Sequence, residues 1–260
     1  METMNLNKKI FIIARISIRE LLAQKVVYVL GGICAVFFFL VSFLGYFDAA
    51  EQIKILHDMG ITFLSFFAFC LILFGVPSVI HCGEEKEKDV IFITKPLRRE
   101  EYLWGKIFGV IVAMTLCLSI VALVLLSIIF IRTNHFDVGY FTLLYLVYLK
   151  YITFISIIVL LCMSCDLLMV YFLGIVVFIV SNGITYFETV AQQTAHKYSI
   201  ILIGILKTIL PRYDYFNVIE AVTLNKVIPI IYVTKVTFYT LLYSGIVFLL
   251  AQLIYKRKEF

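Results

Sequence analysis

The sequence predicts an all-α integral membrane protein, with six transmembrane helices behind an N-terminal interfacial helix. Composition is the first reason: of 260 residues, 63% are hydrophobic and only 15% charged, and the mean hydropathy is +1.04, far outside the range of water-soluble domains. The second is run length. The apolar residues gather into stretches of about 20 or more, enough to cross a hydrocarbon core about 30 Å thick. The third is the confinement of charge to the segments between those stretches, above all residues 84–106.

Residues 1–25 read as an amphipathic helix lying in the membrane interface. Lys8, Arg15 and Arg19 fall on one helical face and Leu6, Ile10, Ile13 and Leu21 on the other, with Ile12 outside the pattern. A frayed tail is the alternative. Arg15, Arg19 and Glu20 interrupt the first apolar run, and no small-residue cleavage site follows it, so the segment reads as retained rather than as a signal peptide.

Residues 26–260 read as one six-span transmembrane domain, with spans near 26–47, 59–80, 107–131, 139–165, 167–187 and 229–255. Asp48, Glu51, Lys54 and Asp58 make a short acidic loop after the first span. The second span contains Pro77, which a membrane helix tolerates near an end or as a kink. The fourth is longer than a perpendicular crossing needs and carries Lys150, and Asp166 marks a tight turn into the fifth. Residues 188–228 form the one long connection. Within it the apolar stretch Ser199 to Leu210 is too short to cross, which predicts a re-entrant or interfacial segment that Pro211 stops.

Six spans put both termini on one side. That side collects 14 Lys and Arg residues against six on the other, so the positive-inside rule places the termini and the 84–106 loop in the cytoplasm. The net charge of +5 is modest and gives no reason to expect nucleic acid as a partner. The six cysteines sit mostly inside apolar runs, as small buried hydrophobes do, and not in the pattern of a secreted disulfide framework.

The longest polar passage runs from Glu84 to Gly109. Six basic residues (Lys86, Lys88, Lys95, Arg98, Arg99, Lys106) interleave there with six acidic ones (Glu84, Glu85, Glu87, Asp89, Glu100, Glu101). Nothing so charged lies in lipid, so it reads as an aqueous loop. Val90, Ile91, Phe92 and Ile93 form an apolar island within it, the pattern of a docking element. Pro96 disfavours helical backbone at Lys95, which predicts a short helix ending before the proline and a new one starting near Arg99.

The chain resembles permease subunits of the ABC-2 class of ABC transporters, nearest to the branch that serves copper-enzyme maturation in nitrous oxide reductase assembly. The resemblance rests on His57-Asp58-Met59-Gly60 at the start of the second span, and on Thr94-Lys95-Pro96-Leu97-Arg98-Arg99-Glu100-Glu101-Tyr102-Leu103-Trp104-Gly105-Lys106-Ile107-Phe108-Gly109. The third match is Leu210-Pro211 followed by Tyr215-Phe216-Asn217 before the last span. It implies that the loop between spans two and three is a cytoplasmic coupling helix seated in a cleft of an ATPase subunit. Val90, Ile91, Phe92 and Ile93 would be its anchors, with Glu84, Glu85, Glu87, Lys95, Pro96, Arg98 and Arg99 around them. Tyr102, Gly105, Lys106 and Gly109 would join it to span three. A solvated loop with one buried patch is the plainer reading.

No segment fits G-x-x-x-x-G-K-[ST], because Gly105-Lys106 is followed by Ile107 and preceded by Glu100 at the first glycine position. The chain is therefore expected to bind no cofactor and to be no enzyme. ATP and Mg²⁺ would sit on a partner ABC ATPase, present as a dimer, and a second permease copy or a homologous permease would complete the path through the lipid. The expected location is a bacterial or archaeal cytoplasmic membrane, and the expected role that of an exporter. A non-transporting scaffold that anchors soluble partners is the alternative.

Three further features admit two readings each. Lys150 at membrane depth is a candidate functional residue, but Tyr145, Tyr148 and Tyr151 beside it suggest an interface to which a lysine snorkels. Cys162 and Cys165 have the C-x-x-C spacing, which without a second ligand pair is weak evidence for metal, and none is expected. Gly105 and Gly109 allow either close helix packing or a flexible joint.

Overall fold

The computed structural model describes residues 6–42, 49–94, 99–133, 138–194, 203–204, 206–219 and 228–257, with side chains described within 11–40, 58–80, 102–131, 139–191 and the last three of those ranges. The described residues are helical, with short connections and no strand. Seven long helices follow one another: α1 (Leu6–Leu22), α2 (Lys25–Ser42), α3 (Ala49–Thr94), α4 (Arg99–Thr133), α5 (Val138–Ser164), α6 (Leu167–Thr194) and α7 (Ile230–Arg257). Five of them, α3 to α7, contain stretches long and apolar enough to cross a membrane. The pair α1–α2, bent by 55° at Ala23 and Gln24, makes a sixth if counted as one broken span.

The breaks have local causes. At the α1–α2 corner the amide of Gln24 turns back to the carbonyl of Leu21, a three-residue closure that tightens the last turn and redirects the chain. Between α5 and α6 only Cys165 and Asp166 intervene. The carbonyl of Asp166 accepts from the amide of Val170 at 3.0 Å and so opens α6. Pro229 opens α7 in the same way, its carbonyl accepting from Tyr232 and its missing N–H costing nothing at a helix start.

α3 departs from expectation. Glu51, Lys54 and Asp58 of the acidic loop and residues 84–94 of the polar stretch, which the charge pattern assigns to an aqueous setting, belong with the second span to one helix of 46 residues, about 69 Å long. Charge excludes these residues from lipid but not from a helix. Glu, Lys and Gln are good helix formers, and the single interior proline, Pro77, bends or strains a membrane helix without ending it. The short separate helix expected before Pro96 is instead the last part of α3, described to Thr94; α4 is described from Arg99, and the expected break at Pro96 lies outside the described residues.

α5 is the most enclosed element, with 72% of its apolar stretch buried against 22% for α6. α3 lies between α4 and α5, α2 rests on α3, α1 lies along α4, and α7 along α5. The core is aliphatic where α3, α4 and α5 meet, at Leu71, Ile72, Val76, Val110, Ala113, Leu146 and Ile158. It becomes aromatic toward α6, where Phe178 meets Phe69, Tyr151, Phe154 and Tyr213. Tyrosine hydroxyls clip helices together: Tyr148 to Ser119 at 2.9 Å, Tyr145 to Thr237 at 3.0 Å, and Tyr151 to the carbonyl of Ser65.

α1 is more than a floating amphipathic helix. Ile13, Ala14, Ser17 and Leu21 form its buried stripe, whereas Arg15 and Arg19 share the exposed side with Phe11, Ile12 and Ile16. Residues 206–219 fold back along α7. The hydroxyl of Tyr243 donates to the carbonyl of Ile209, the amide of Arg212 donates to the hydroxyl of Tyr239, and the hydroxyl of Tyr232 donates to the carbonyl of Tyr215. Tyr243 lies about 21 Å along the axis from Arg257, so this segment reaches the mid-height of α7 before running out toward its start.

Candidate functional site

The helical hairpin of α3 and α4 carries the first candidate. Glu84, Glu85, Glu87, Val90, Ile91, Phe92 and Ile93 fall in the last turns of α3, and Arg99 is the first residue of α4, but their side chains lie outside the described residues. Lys95, Pro96 and Arg98 lie outside them altogether.

The base of the hairpin is described. Lys106 is 3% exposed. Its ammonium donates to the carbonyl of Val79 at 3.2 Å and sits 4.8 Å from the ring centre of Tyr102, which fastens α4 to α3. Gly105 is buried, and α4 runs through it and Gly109 without a break. A Cβ on Gly109 would stand 2.6 Å from the carbonyl oxygen of Ala14 and 2.8 Å from the Cβ of Ser17, so this glycine is where the backbones of α1 and α4 meet. On the other flank, the indole of Trp104 donates to Gln252 of α7 at 3.3 Å and meets Phe248 edge to face. Three helices thus hold the foot of α4.

The second candidate surrounds Lys150. About 21 Å along the axis from Ser164, it sits near the mid-height of α5, level with Asn182 of α6. Its ammonium donates to the side-chain oxygen of Asn182 at 2.8 Å and lies 5.2 Å from the ring centre of Tyr213, 5.4 Å from Phe178 and 6.0 Å from Tyr151. Rings present electron-rich faces to a cation, and the amide oxygen accepts one of its protons, so the charge is stabilised without an ion pair. Asp214 is close enough for its charge to act on Lys150, but its carboxylate accepts instead from the hydroxyl of Thr185.

Above this level Lys207 pairs with Glu188, and Arg212 approaches the same carboxylate at 4.0 Å while donating to the hydroxyl of Tyr215 at 2.8 Å. That hydrogen bond, aided by the neighbouring carboxylates, raises the affinity of the Arg212 guanidinium for its proton. Tyr213 is fully enclosed, and burial pushes its hydroxyl well above the usual phenol range, so it stays neutral. Thr153 is near enough to perturb that hydroxyl, yet no hydrogen bond of sound geometry reaches it among the described residues.

Sequence reasoning singled out Lys150 but not its partners. Asn182 carried a signal, being an amide in the middle of an apolar run. Thr185, Glu188, Tyr213 and Asp214 carried little, because only the fold-back of 206–219 brings two of them to α6. Tyr145 and Tyr148 clip α5 to α7 and α4, and Tyr151, bonded to α3, also lines the wall of the Lys150 site. Among the described residues no three His, Cys, Asp or Glu side chains converge as a metal site would require, and Cys162 is buried. No protein-family model matches the chain, and no curated protein matches it.

Proposed function

We propose that this chain is the membrane-spanning subunit of an ATP-driven exporter of the ABC-2 class, coupled to a separate ABC ATPase dimer and completed by a second permease copy or a homologous permease. The α3–α4 hairpin carries the reading. Past the end of its apolar stretch at Ile80, α3 continues as helix to Thr94, about 21 Å further, and α4 returns from Arg99. A continuous helix transmits a displacement along its axis, which a flexible loop does not. The tip bears the charged, apolar-centred stretch that resembles a coupling helix, and the foot is bound to α1, α3 and α7 through Gly109, Lys106 and Trp104. Motion imposed at the tip would therefore reach several helices together. The termini and the hairpin would face the cytoplasm.

The test is co-expression with the ABC ATPase recovered alongside this chain from its native membrane. Phe92→Asp together with Ile93→Asp should abolish both co-purification and the stimulation of ATP hydrolysis while leaving the chain in the membrane. Unchanged co-purification and stimulation would remove the docking assignment. Recovery of other soluble partners and no ATPase would favour the scaffold.

A further inference from the structure

The polar side chains around Lys150 form a row. Lys150 and Asn182 stand at mid-height, Thr185 and Asp214 about 27 Å from the start of α6, and Glu188 with Lys207 about 31 Å along it, near the end where α4 joins α5. The row lies in the groove between α5, α6 and residues 206–219, over the floor of Phe178, Tyr151 and Tyr213. Asn182, Thr185 and Thr189 are exposed, at the edge of α6 that borders the groove, whereas the rest of its exposed arc is apolar, with Leu168, Phe172, Ile179 and Tyr186. Asn182 and Thr189 donate to the Phe178 and Thr185 carbonyls of their own helix, but Lys150, Asp214 and the Glu188–Lys207 pair are ionisable groups, which at this height face protein or water, not hydrocarbon. The apolar arc suits lipid and the polar edge does not.

The charges in the groove are three cations and two carboxylates, an excess of one positive charge: Glu188 pairs with Lys207 and is approached by Arg212, while Asp214 accepts from the Thr185 hydroxyl and acts on Lys150 only from a distance. Lys150 is the cation that no carboxylate neutralises by direct contact among the described residues. We infer that the groove is water-filled from the α4–α5 end down to Lys150, and that Lys150 receives an anionic group there, a carboxylate, sulfonate or phosphate. The inference stands on the groove and needs no ATPase.

Single cysteines at Asn182, Thr189 and, as lipid-facing control, Ile179 test it in the full chain, with the six native cysteines replaced and the protein in phosphatidylcholine vesicles. If that background fails to fold, the native one serves, with labelled peptides read by mass spectrometry. The probes are anionic and cationic water-soluble methanethiosulfonates. Since only a hydrated thiolate reacts, Asn182→Cys and Thr189→Cys should label at least about tenfold faster than Ile179→Cys. At Asn182→Cys the preference for the anionic reagent should drop about threefold to tenfold on adding Lys150→Gln and persist with Lys150→Arg.

Labelling of Asn182→Cys as slow as that of Ile179→Cys, or disulfide cross-linking of Asn182→Cys between two copies, overturns the water-filled groove. Indifference of the charge preference to Lys150→Gln overturns the anion site. Protection by added inorganic phosphate identifies a free anion, and protection by phosphatidylglycerol replacing phosphatidylcholine identifies a lipid headgroup. Protection by neither also overturns the anion site.

Discussion

Gly109 shows how one missing side chain sets the position of a whole helix. With the carbonyl of Ala14 2.6 Å from where a Cβ would stand, an alanine must push α1 away from α4, because a backbone atom has no alternative rotamer to retreat into. Gly109→Ala should lower stability by about 1–3 kcal/mol, measured by thermal unfolding in detergent. Gly32 has open space around it, so Gly32→Ala should be neutral or stabilise by up to about 1 kcal/mol through helix propensity. Equal effects at the two glycines would contradict the packing described. Tyr213 predicts the opposite sign from intuition about buried polar groups. Its hydroxyl is enclosed without a sound partner among the described residues, so Tyr213→Phe should leave the melting temperature unchanged or raise it, whereas a clear fall would show that the hydroxyl is bonded.

At the scale of elements, the apolar runs were legible because hydrophobicity alone identifies a membrane helix, and charge at the run ends marked where they leave the hydrocarbon. What composition hid was continuity. Charge reports solvent, not backbone conformation, so the turns of α3 before Met59 and just after Ile80 read as aqueous connections, with a separate short helix before Pro96; the helix in fact runs through Gly83, a residue that often ends helices. Pro96 lies between the described ends of α3 and α4, outside the described residues. The site at Lys150 was half legible: the lysine and Asn182 interrupt apolar runs, but the approach of Asp214 depends on a fold-back that no local pattern encodes. If α3 acts as a rigid strut, inserting two glycines after Gly83 should leave ATPase binding intact while reducing the permease-stimulated rate of ATP hydrolysis severalfold, because the joint absorbs the motion. A stimulated rate equal to that of the parent chain would count against the strut.

For the whole molecule, α3, α4 and α5 make the packed centre, while α6 and α7 leave most of their apolar surface uncovered. Lipid or a second copy of the chain can cover apolar surface of this kind, and the exposed polar edge of α6 points to water within the same face. The two candidate sites lie at different heights in the bundle: the hairpin projects beyond the end where α5 joins α6, whereas Lys150 sits at mid-height and its polar row runs from there toward the end where α4 joins α5. The proposed exporter reading would put the motor contact at the hairpin tip and the exit of a cargo on the other side of the membrane.

In the proposed function the hairpin tip faces the cytosol. A cysteine at Phe92 probed with an impermeant thiol reagent in intact cells and in inverted membrane vesicles tests it most directly. Labelling in inverted vesicles alone is the predicted result. Labelling in intact cells alone would invert the topology and contradict both the motor contact and the direction assigned to the groove.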